Sequence, residues 1–434
     1  IDGFGAFMLV SAAIVSFAVI LYLTVSQSKR SSRSEFYALY LLLVAGIFGM
    51  VSTGDMFNFF VFLEINSLAA SALIAYHRNG GLAAEGALKY LIVNTVGGLM
   101  ILFAIGLLYA QYNSLNMAVI ACNLSLTTLN LLALILFIAG LATKAGAVPF
   151  HFATPDAYSV APSGVTALMI VASQAGLYGM FRILFSVYGG VFTSATVGWI
   201  VIILGVLSMF IGVTMAIPQK DIKRLLSYHA VSQTGYMLLG VGVALAVLGD
   251  VTLTNAFGQM AMEGGLFHII NHAMYKGLLF LAVGAVIYRT GVWNLNEMGG
   301  LGHKMKWTMI FFLIGALAIA GIPPFNGFAS KLMIYESTFA FNPAIAIIAM
   351  VVSILTLASF MKVFHSVFMG PELPEYAGVR EVPKRMLAGM AILAVFVIIF
   401  GIVPDLVVDT LITPAADALL HQWQYILSVL GGGL

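Results

Sequence analysis

Glu64, Lys144, His229, His268, His272, Lys276 and Lys331 lie inside stretches of sequence otherwise built from apolar side chains. A lysine in the middle of a membrane span costs about 2.5–3.5 kcal/mol on insertion scales, so its presence asks for a reason. Lys144 stands in Leu141-Ala-Thr-Lys-Ala-Gly-Ala-Val-Pro-Phe-His-Phe-Ala-Thr-Pro-Asp156, where an apolar run from Leu129 meets Gly146, Pro149 and Pro155. Proline removes a backbone donor and clashes with the preceding turn, so the helix must break or kink. In hydrocarbon a broken backbone survives only when buried in protein or lining a wet cavity. A charge and a break together point to an ion path. The alternative is a helix that ends at Pro149 with Lys144 snorkelling to the interface.

Glu64 sits among phenylalanines, about ~10 Å into its helix at 1.5 Å per residue. No basic residue lies one turn away, so its partner comes from another helix, and Lys144 is the natural candidate. Paired, the two keep each other charged; unpaired, burial allows either to release or take a proton. The rival is a static ion pair, although such pairs rarely repay their desolvation as stabilisers. His268, His272 and Lys276 follow at i, i+4 and i+8, with Asn271 and Tyr275 beside them, which lines titratable groups along one helix face. Histidine titrates near neutrality and suits a proton relay. A metal reading is poor, since no carboxylate or cysteine pattern accompanies the pair. Histidines satisfied by backbone carbonyls, and a snorkelling Lys276, are the rival readings. Lys331 follows a second interruption, Pro323-Pro-Phe-Asn-Gly-Phe-Ala-Ser-Lys, and needs a partner or water. His229 follows a basic cluster and reads equally as the mouth of the path or as an interfacial residue. Asp156 reads as a cap of a short helix, Glu85 and Lys89 as a structural i,i+4 pair, and Arg182 and Lys362 as snorkelling charges near cytoplasmic ends. Asp55 and Glu263 remain unassigned.

The elements that must position these residues follow from composition. Of 434 residues, 61% are hydrophobic and 8% charged, against about 25% charged in soluble domains. The chain is an all-α polytopic membrane protein. A net charge of +2 says nothing about nucleic acid, no basic stripe exists to bind it, and the single Cys122 builds no disulfide framework, haem clip or iron–sulfur site. There is no nucleotide loop, so a self-sufficient enzyme is disfavoured, and any redox chemistry belongs to another subunit. The chain starts at Ile1 and enters a span at once, without the basic n-region of a signal peptide; upstream helices are expected to be missing.

Hydropathy marks twelve spans, near 5–26, 36–56, 57–77, 84–110, 129–148, 163–188, 196–217, 224–248, 256–288, 308–338, 343–369 and 386–403, with a lateral tail at 411–430. Thirteen of the 19 basic residues fall in alternate loops: Lys29, Arg30, Arg33, Arg78, Lys220, Lys223, Arg224, Arg289, Lys304, Lys306, Arg380, Lys384 and Arg385. The other loops, including 111–128, carry none. The positive-inside rule puts the basic set in the cytoplasm and both termini outside. A faint repeat relates Ala147-Val-Pro-Phe-His151 to Ile322-Pro-Pro-Phe-Asn326, with hinges at Pro149, Pro323 and Pro324. Proline-broken helices in two halves are the pattern of a transporter with repeated bundles. The expected divisions are 1–35, an N-terminal helix and loop; 36–188 and 196–369, two five-span repeats; and 370–434, a last helix and amphipathic tail.

Six ordered strings carry a family resemblance: Gly-Asp-Met-Phe-Asn-Phe-Phe-Val-Phe-Leu-Glu64, Lys144-Ala-Gly-Ala-Val-Pro-Phe-His, Ala161-Pro-Ser-Gly-Val-Thr-Ala-Leu, Lys223-Arg-Leu-Leu-Ser-Tyr-His-Ala-Val-Ser-Gln-Thr-Gly-Tyr, Asn271-His-Ala-Met-Tyr-Lys-Gly-Leu-Leu-Phe and Gly321-Ile-Pro-Pro-Phe-Asn-Gly-Phe-Ala-Ser-Lys331. They resemble the antiporter-like membrane subunits of respiratory complex I, Mrp sodium/proton antiporters and energy-converting membrane-bound hydrogenases. The resemblance implies a fold of fourteen helices, about twelve of them present here, in two inverted five-helix repeats, each with a broken helix. It implies Glu64 and Lys144 as the ion pair of the first half-channel, Lys331 as the terminal titratable residue of the second, and His268 and His272 on the polar axis between them. It also implies no cofactor or metal in this chain, a prokaryotic cytoplasmic membrane, protons or Na+ as cargo, and partners that include related antiporter-like subunits and a peripheral redox arm. One position departs from the pattern. The lysine usual four residues before the Tyr of Tyr-x-x-x-Arg is Gln174 here, before Tyr178; glutamine holds no proton but can order water, and His229 is a candidate substitute. The string around Lys331 looks most similar to the hydrogenase branch, whereas Tyr-His-Ala-Val-Ser-Gln is also at home in the Mrp branch. A proton-translocating subunit of a redox complex, a subunit of a non-redox Mrp-type antiporter and a purely structural spacer are the competing expectations.

Overall fold

The computed structural model describes residues 1–27, 33–76, 81–189, 191 and 194–431. Lys29, Arg30 and Arg78 of the basic loops lie outside the described residues. The principal helices are α1 (Gly3–Ser26), α2 (Arg33–Ser52), α3 (Met56–Ile74), α4 (Gly81–Tyr112), α5 (Thr128–Ala145), α6 (Ala153–Val160), α7 (Ser163–Val187), α8 (Ala195–Ala216), α9 (Ile222–Val247), α10 (Val251–Thr290), α11 (Lys306–Ala320), α12 (Asn326–Phe341), α13 (Pro343–Phe368) and α14 (Lys384–Ile402). Eleven of these are long and apolar enough to cross a membrane. The interrupted pair α11–α12 takes the place of the twelfth expected span.

Polar residues at helix starts satisfy the free backbone donors that a helix leaves there. Asp55 caps α3 by accepting from Asn58 N at 2.8 Å, and Asp221 caps α9 by accepting from Arg224 N at 2.8 Å. Glu263 accepts from Thr413 Oγ1 at 2.9 Å and ties α10 to the C-terminal tail.

The two breaks are built alike. α5 ends on Gly146 at φ 69° and α11 on Gly321 at φ 76°, a left-handed conformation that glycine adopts without steric penalty. In each, the residue after the glycine bonds back into the last turn: Ala147 N to Ala142 O at 2.9 Å, and Ile322 N to Leu317 O at 3.0 Å. This is the Schellman form of helix termination. Phe150 N then reaches Ala147 O, and Phe325 N reaches Ile322 O, at 2.8 and 3.2 Å. The lysines are placed differently, however. Lys144 lies in the last turn before its break, and Lys331 lies in the helix after its own.

Burial divides the helices into two classes. The best spanning windows of α7, α9 and α10 are 94%, 94% and 100% buried, whereas those of the surrounding helices are 39–50% buried. A helix covered all round forms the centre of a bundle. These three helices carry Gln174, His229, Gln233, His268, His272 and Lys276, so the polar line of the sequence runs through the middle of the protein.

Several expectations are corrected. Asp156 does not cap α6, whose N-cap is Phe152; it accepts from Lys89 Nζ and from Arg224, both at 2.9 Å, and joins α4, α6 and α9. Lys89 is also bonded to Glu85 at 2.7 Å, as its spacing suggested. Lys223 is a buried residue of α9 whose Nζ donates to the Ala161 carbonyl. The stretch 111–128 contains the end of α4 and a short helix, Met117–Asn123. Lys362 is spent on the Ile217 and Gln219 carbonyls at 2.8 and 3.1 Å.

Arg182 does not snorkel. It is buried at the α1 N-terminal end of the bundle, in a π-helical turn that closes α7. Its guanidinium donates to both Asp2 oxygens, at 2.6 and 2.7 Å, and stacks on Phe4, Tyr178 and Tyr425 at 5.1–5.3 Å from their centroids. Burial works against the Asp2 charge, but the two guanidinium bonds outweigh it and hold the carboxyl below its ordinary value. The tail helix Gln422–Leu430 is clamped here too, with Gln422 Nε2 donating to the Ser186 and Val187 carbonyls. Arg182→Lys keeps the charge but loses the fork and the stacking plane. It should cost about 1.5–3 kcal/mol, the range for a hydrogen bond to a charged group. A lower melting temperature of the detergent-solubilised protein is the expected readout, and an unchanged one counts against this latch.

Candidate proton-transfer line

The first group forms where α3, α4 and α5 meet. Lys144 Nζ donates to Glu64 Oε1 at 2.8 Å and to Ser67 Oγ at 2.7 Å, with side-chain exposures of 6% for Lys144 and 22% for Glu64. Ser67 stands almost one turn after Glu64 on α3, so one face supplies both oxygens. Room for the carboxylate comes from Gly98 of α4: a Cβ there would lie 2.1 Å from Glu64 Oε1 and 3.5 Å from Lys144 Nζ. Gly98→Ala must therefore push the carboxylate aside. Overpacking of this kind costs about 1–3 kcal/mol. The expected result is reduced ion transport in an assembled protein; wild-type transport would show that the position of Glu64 is immaterial.

The second group lies between α7, α9, α10 and α12. Gln174 Nε2 donates to the Ile269 carbonyl at 2.8 Å and stands 2.9 Å from His272 Nδ1. One turn earlier, His268 Nδ1 meets Ser330 Oγ at 2.9 Å, and its Nε2 meets Gln233 Oε1 at 3.1 Å and Tyr275 OH at 3.2 Å. Tyr275 OH also donates to Gln233 Oε1 at 3.2 Å. Asn271 and Asn326 bond reciprocally, Nδ2 to backbone O and Nδ2 to Oδ1, both at 3.0 Å, and pin the start of α12 to α10.

Lys331 and Lys276, the other two lysines of the line, have neutral hydrogen-bond partners. Lys331 Nζ donates to the Ile319 carbonyl at 2.7 Å and to Ser353 Oγ at 3.0 Å, and lies 4.7 Å from the Tyr236 ring centroid. The Ile319 carbonyl is one that the break after α11 leaves free, so the break itself supplies the lysine's acceptor. Lys276 is fully buried and donates to the Leu226 carbonyl at 2.6 Å, which removes the snorkelling reading. His229 Nε2 meets Ser359 Oγ of α13 at 2.8 Å, away from the His268 and His272 contacts.

The structure thus brings Glu64 to Lys144, and His268 through Ser330 to the helix of Lys331. Among the described residues no direct hydrogen bond joins Lys144 to Gln174 or His272. Gln174 Oε1, His272 Nε2, Gln233 Nε2, His229 Nδ1 and Asn326 Oδ1 are buried without a protein partner. Buried polar atoms are almost always hydrogen-bonded, by protein or by water, and water is the partner that fits such scattered donors and acceptors. Ser67, Gly98, Gln233, Ser330 and Ser353 are contributors that the sequence reading passed over. Gln233 stands one turn from His229 and Ser67 three residues from Glu64, spacings that single out a shared helix face; Gly98 and Ser353 carry no such mark.

Residues 53–356, which hold both breaks and every ionisable group above, match the family model described as NADH:quinone oxidoreductase/Mrp antiporter, transmembrane. The chain belongs to this antiporter-like family. NADH-quinone oxidoreductase subunit N of Desulforudis audaxviator is 35% identical over 435 residues, covering 95% of this chain and 83% of the relative. Among solved structures, a chain of the Mrp complex from Dietzia sp. DQ12-45-1b superposes with a TM-score of 0.89 at 28% identity, covering 99% of this chain and 86% of that one. A chain of the membrane-bound sulfane sulfur reductase, an archaeal respiratory membrane complex, gives 0.88 at 29% identity, covering 98% and 84%. The all-α polytopic class expected from composition is the fold of this antiporter-like family, and the protein is an integral membrane protein.

Proposed function

We propose that this antiporter-like chain moves protons through a buried lateral line that starts at Glu64–Lys144, continues past Gln174 and His272 to His268, and ends at Lys331. The observation that carries this reading is the pairing of buried ionisable groups with orphaned polar atoms along the central helices. Charged and polar groups at membrane depth are costly, and a wet path for ions is the use that repays them. Lys276 and His229 are side branches of the line, on α10 and α9, and Pro149, Pro323 and Pro324 are the hinges of its broken helices. The two five-helix repeats are residues 36–188 and 196–369, between the N-terminal segment 1–35 and the tail 370–434.

In this reading the chain works within a multisubunit membrane complex, beside related antiporter-like subunits, and a peripheral redox arm supplies the energy. Electron transfer in the partners shifts the charge balance at Glu64–Lys144, and the displaced proton runs toward Lys331. The family membership and the likeness to a respiratory reductase chain support it. The nearly equal likeness to an Mrp chain supports a second reading, a subunit of a non-redox sodium/proton antiporter. The basic loops face the cytoplasm and both termini the outside, as the loop charges suggest.

The test is purification of the complex from native membranes, identification of its chains and reconstitution into vesicles with a pH-sensitive dye. Iron–sulfur or nickel–iron chains and electron-driven acidification are expected for the first reading. Their absence, with sodium-driven proton exchange, establishes the second; no proton movement under either drive overturns both.

A further inference from the structure

The Gln174 carboxamide can be oriented without ambiguity. The group facing the Ile269 carbonyl at 2.8 Å must be the NH2, because a carbonyl oxygen only accepts. The second hydrogen of the same nitrogen then points at His272 Nδ1, 2.9 Å away, and Nδ1 must present a lone pair. A neutral imidazole carries one N–H, so in His272 it is on Nε2. His272 Nε2 and Gln174 Oε1 are both buried without protein partners. His268 and Lys276 lie one turn away on either side, and Tyr275 packs its ring edge-on at 5.6 Å. None of them contacts Nδ1.

We propose that Gln174 is a positioning residue that holds His272 as its Nε2–H tautomer, and that a proton passes this ring only when the carboxamide turns over. The step balances: water on the Lys144 side delivers a proton to Nδ1, the proton on Nε2 leaves to water on the His268 side, and the ring is neutral before and after. Gln174 Oε1 then accepts from the new Nδ1–H, at the loss of the Ile269 bond. Reset requires the reverse exchange or a ring flip. The gate rests on the proton line proposed above, whereas the tautomer does not depend on it.

The test uses the complete complex from native membranes, labelled with 15N-histidine, and solid-state NMR with His272→Gln to assign the signal. In the wild type, Nδ1 is expected to read as an unprotonated acceptor and Nε2 as protonated. When ionised, Gln174→Glu offers only acceptor oxygens and should place a proton on Nδ1, while Gln174→Met should leave a mixture. A protonated Nδ1 in the wild type, which needs no variant to fold, overturns the assignment; so does an unprotonated Nδ1 beside the ionised carboxylate of Gln174→Glu. Proton transport by Gln174→Glu should fall severalfold, and unchanged transport beside a protonated Nδ1 overturns the gate. A complex that moves no protons at all defeats the functional reading and leaves the spectrum to decide the tautomer.

Discussion

Lys144→Met is expected to abolish proton transport and to destabilise the protein by about 3–5 kcal/mol, the cost of leaving one member of a buried ion pair alone. Among the described residues Glu64 is ion-paired to this one cation, and its own helix carries no basic residue to replace it. The double variant Glu64→Gln/Lys144→Met removes both charges and should recover most of the stability, as replacement of buried pairs by neutral groups commonly does. Transport should stay lost. Thermal unfolding and dye-based transport together check this: a double variant that regains stability and transport would make the pair a structural strut and nothing more.

Lys331→Arg separates charge from exchange in the second half. Arginine keeps the cation but does not release a proton in proteins. Its planar guanidinium is also larger than the ammonium now held by the Ile319 carbonyl, Ser353 and the Tyr236 ring. Transport is expected to fall to background in both Lys331→Arg and Lys331→Met. Lys331→Met should lose about 1–3 kcal/mol, because the Ile319 carbonyl at the broken end of α11 is left without its donor. Retained transport in Lys331→Arg would show that a fixed positive charge suffices there.

The Glu64–Lys144 pair was legible in the sequence because each charge lacked a partner one turn away, and a buried charge must find one. Both breaks were legible because proline and glycine act through the local backbone, wherever the rest of the chain lies. Arg182 was misread for the opposite reason. Its partners, Asp2 and Tyr425, come from the two ends of the chain, and only packing brings them together. Asp156 looked like a cap because local pattern sees its own helix and misses Lys89 and Arg224. Lys276 looked able to reach the interface because its depth depends on neighbours that bury the middle of α10 completely. Periodicity finds faces of helices; which faces meet is decided by long-range fit, such as the space that Gly98 leaves for Glu64.

The proposed proton line depends on water completing it where side chains do not touch. A map of the intact complex that resolves ordered water tests this most directly. Water is expected between Lys144 and Gln174 Oε1, then at His272 Nε2, and again at Gln233 Nε2 and Asn326 Oδ1. A gap closed by apolar side chains, with those four atoms dry, would contradict proton transfer along this axis.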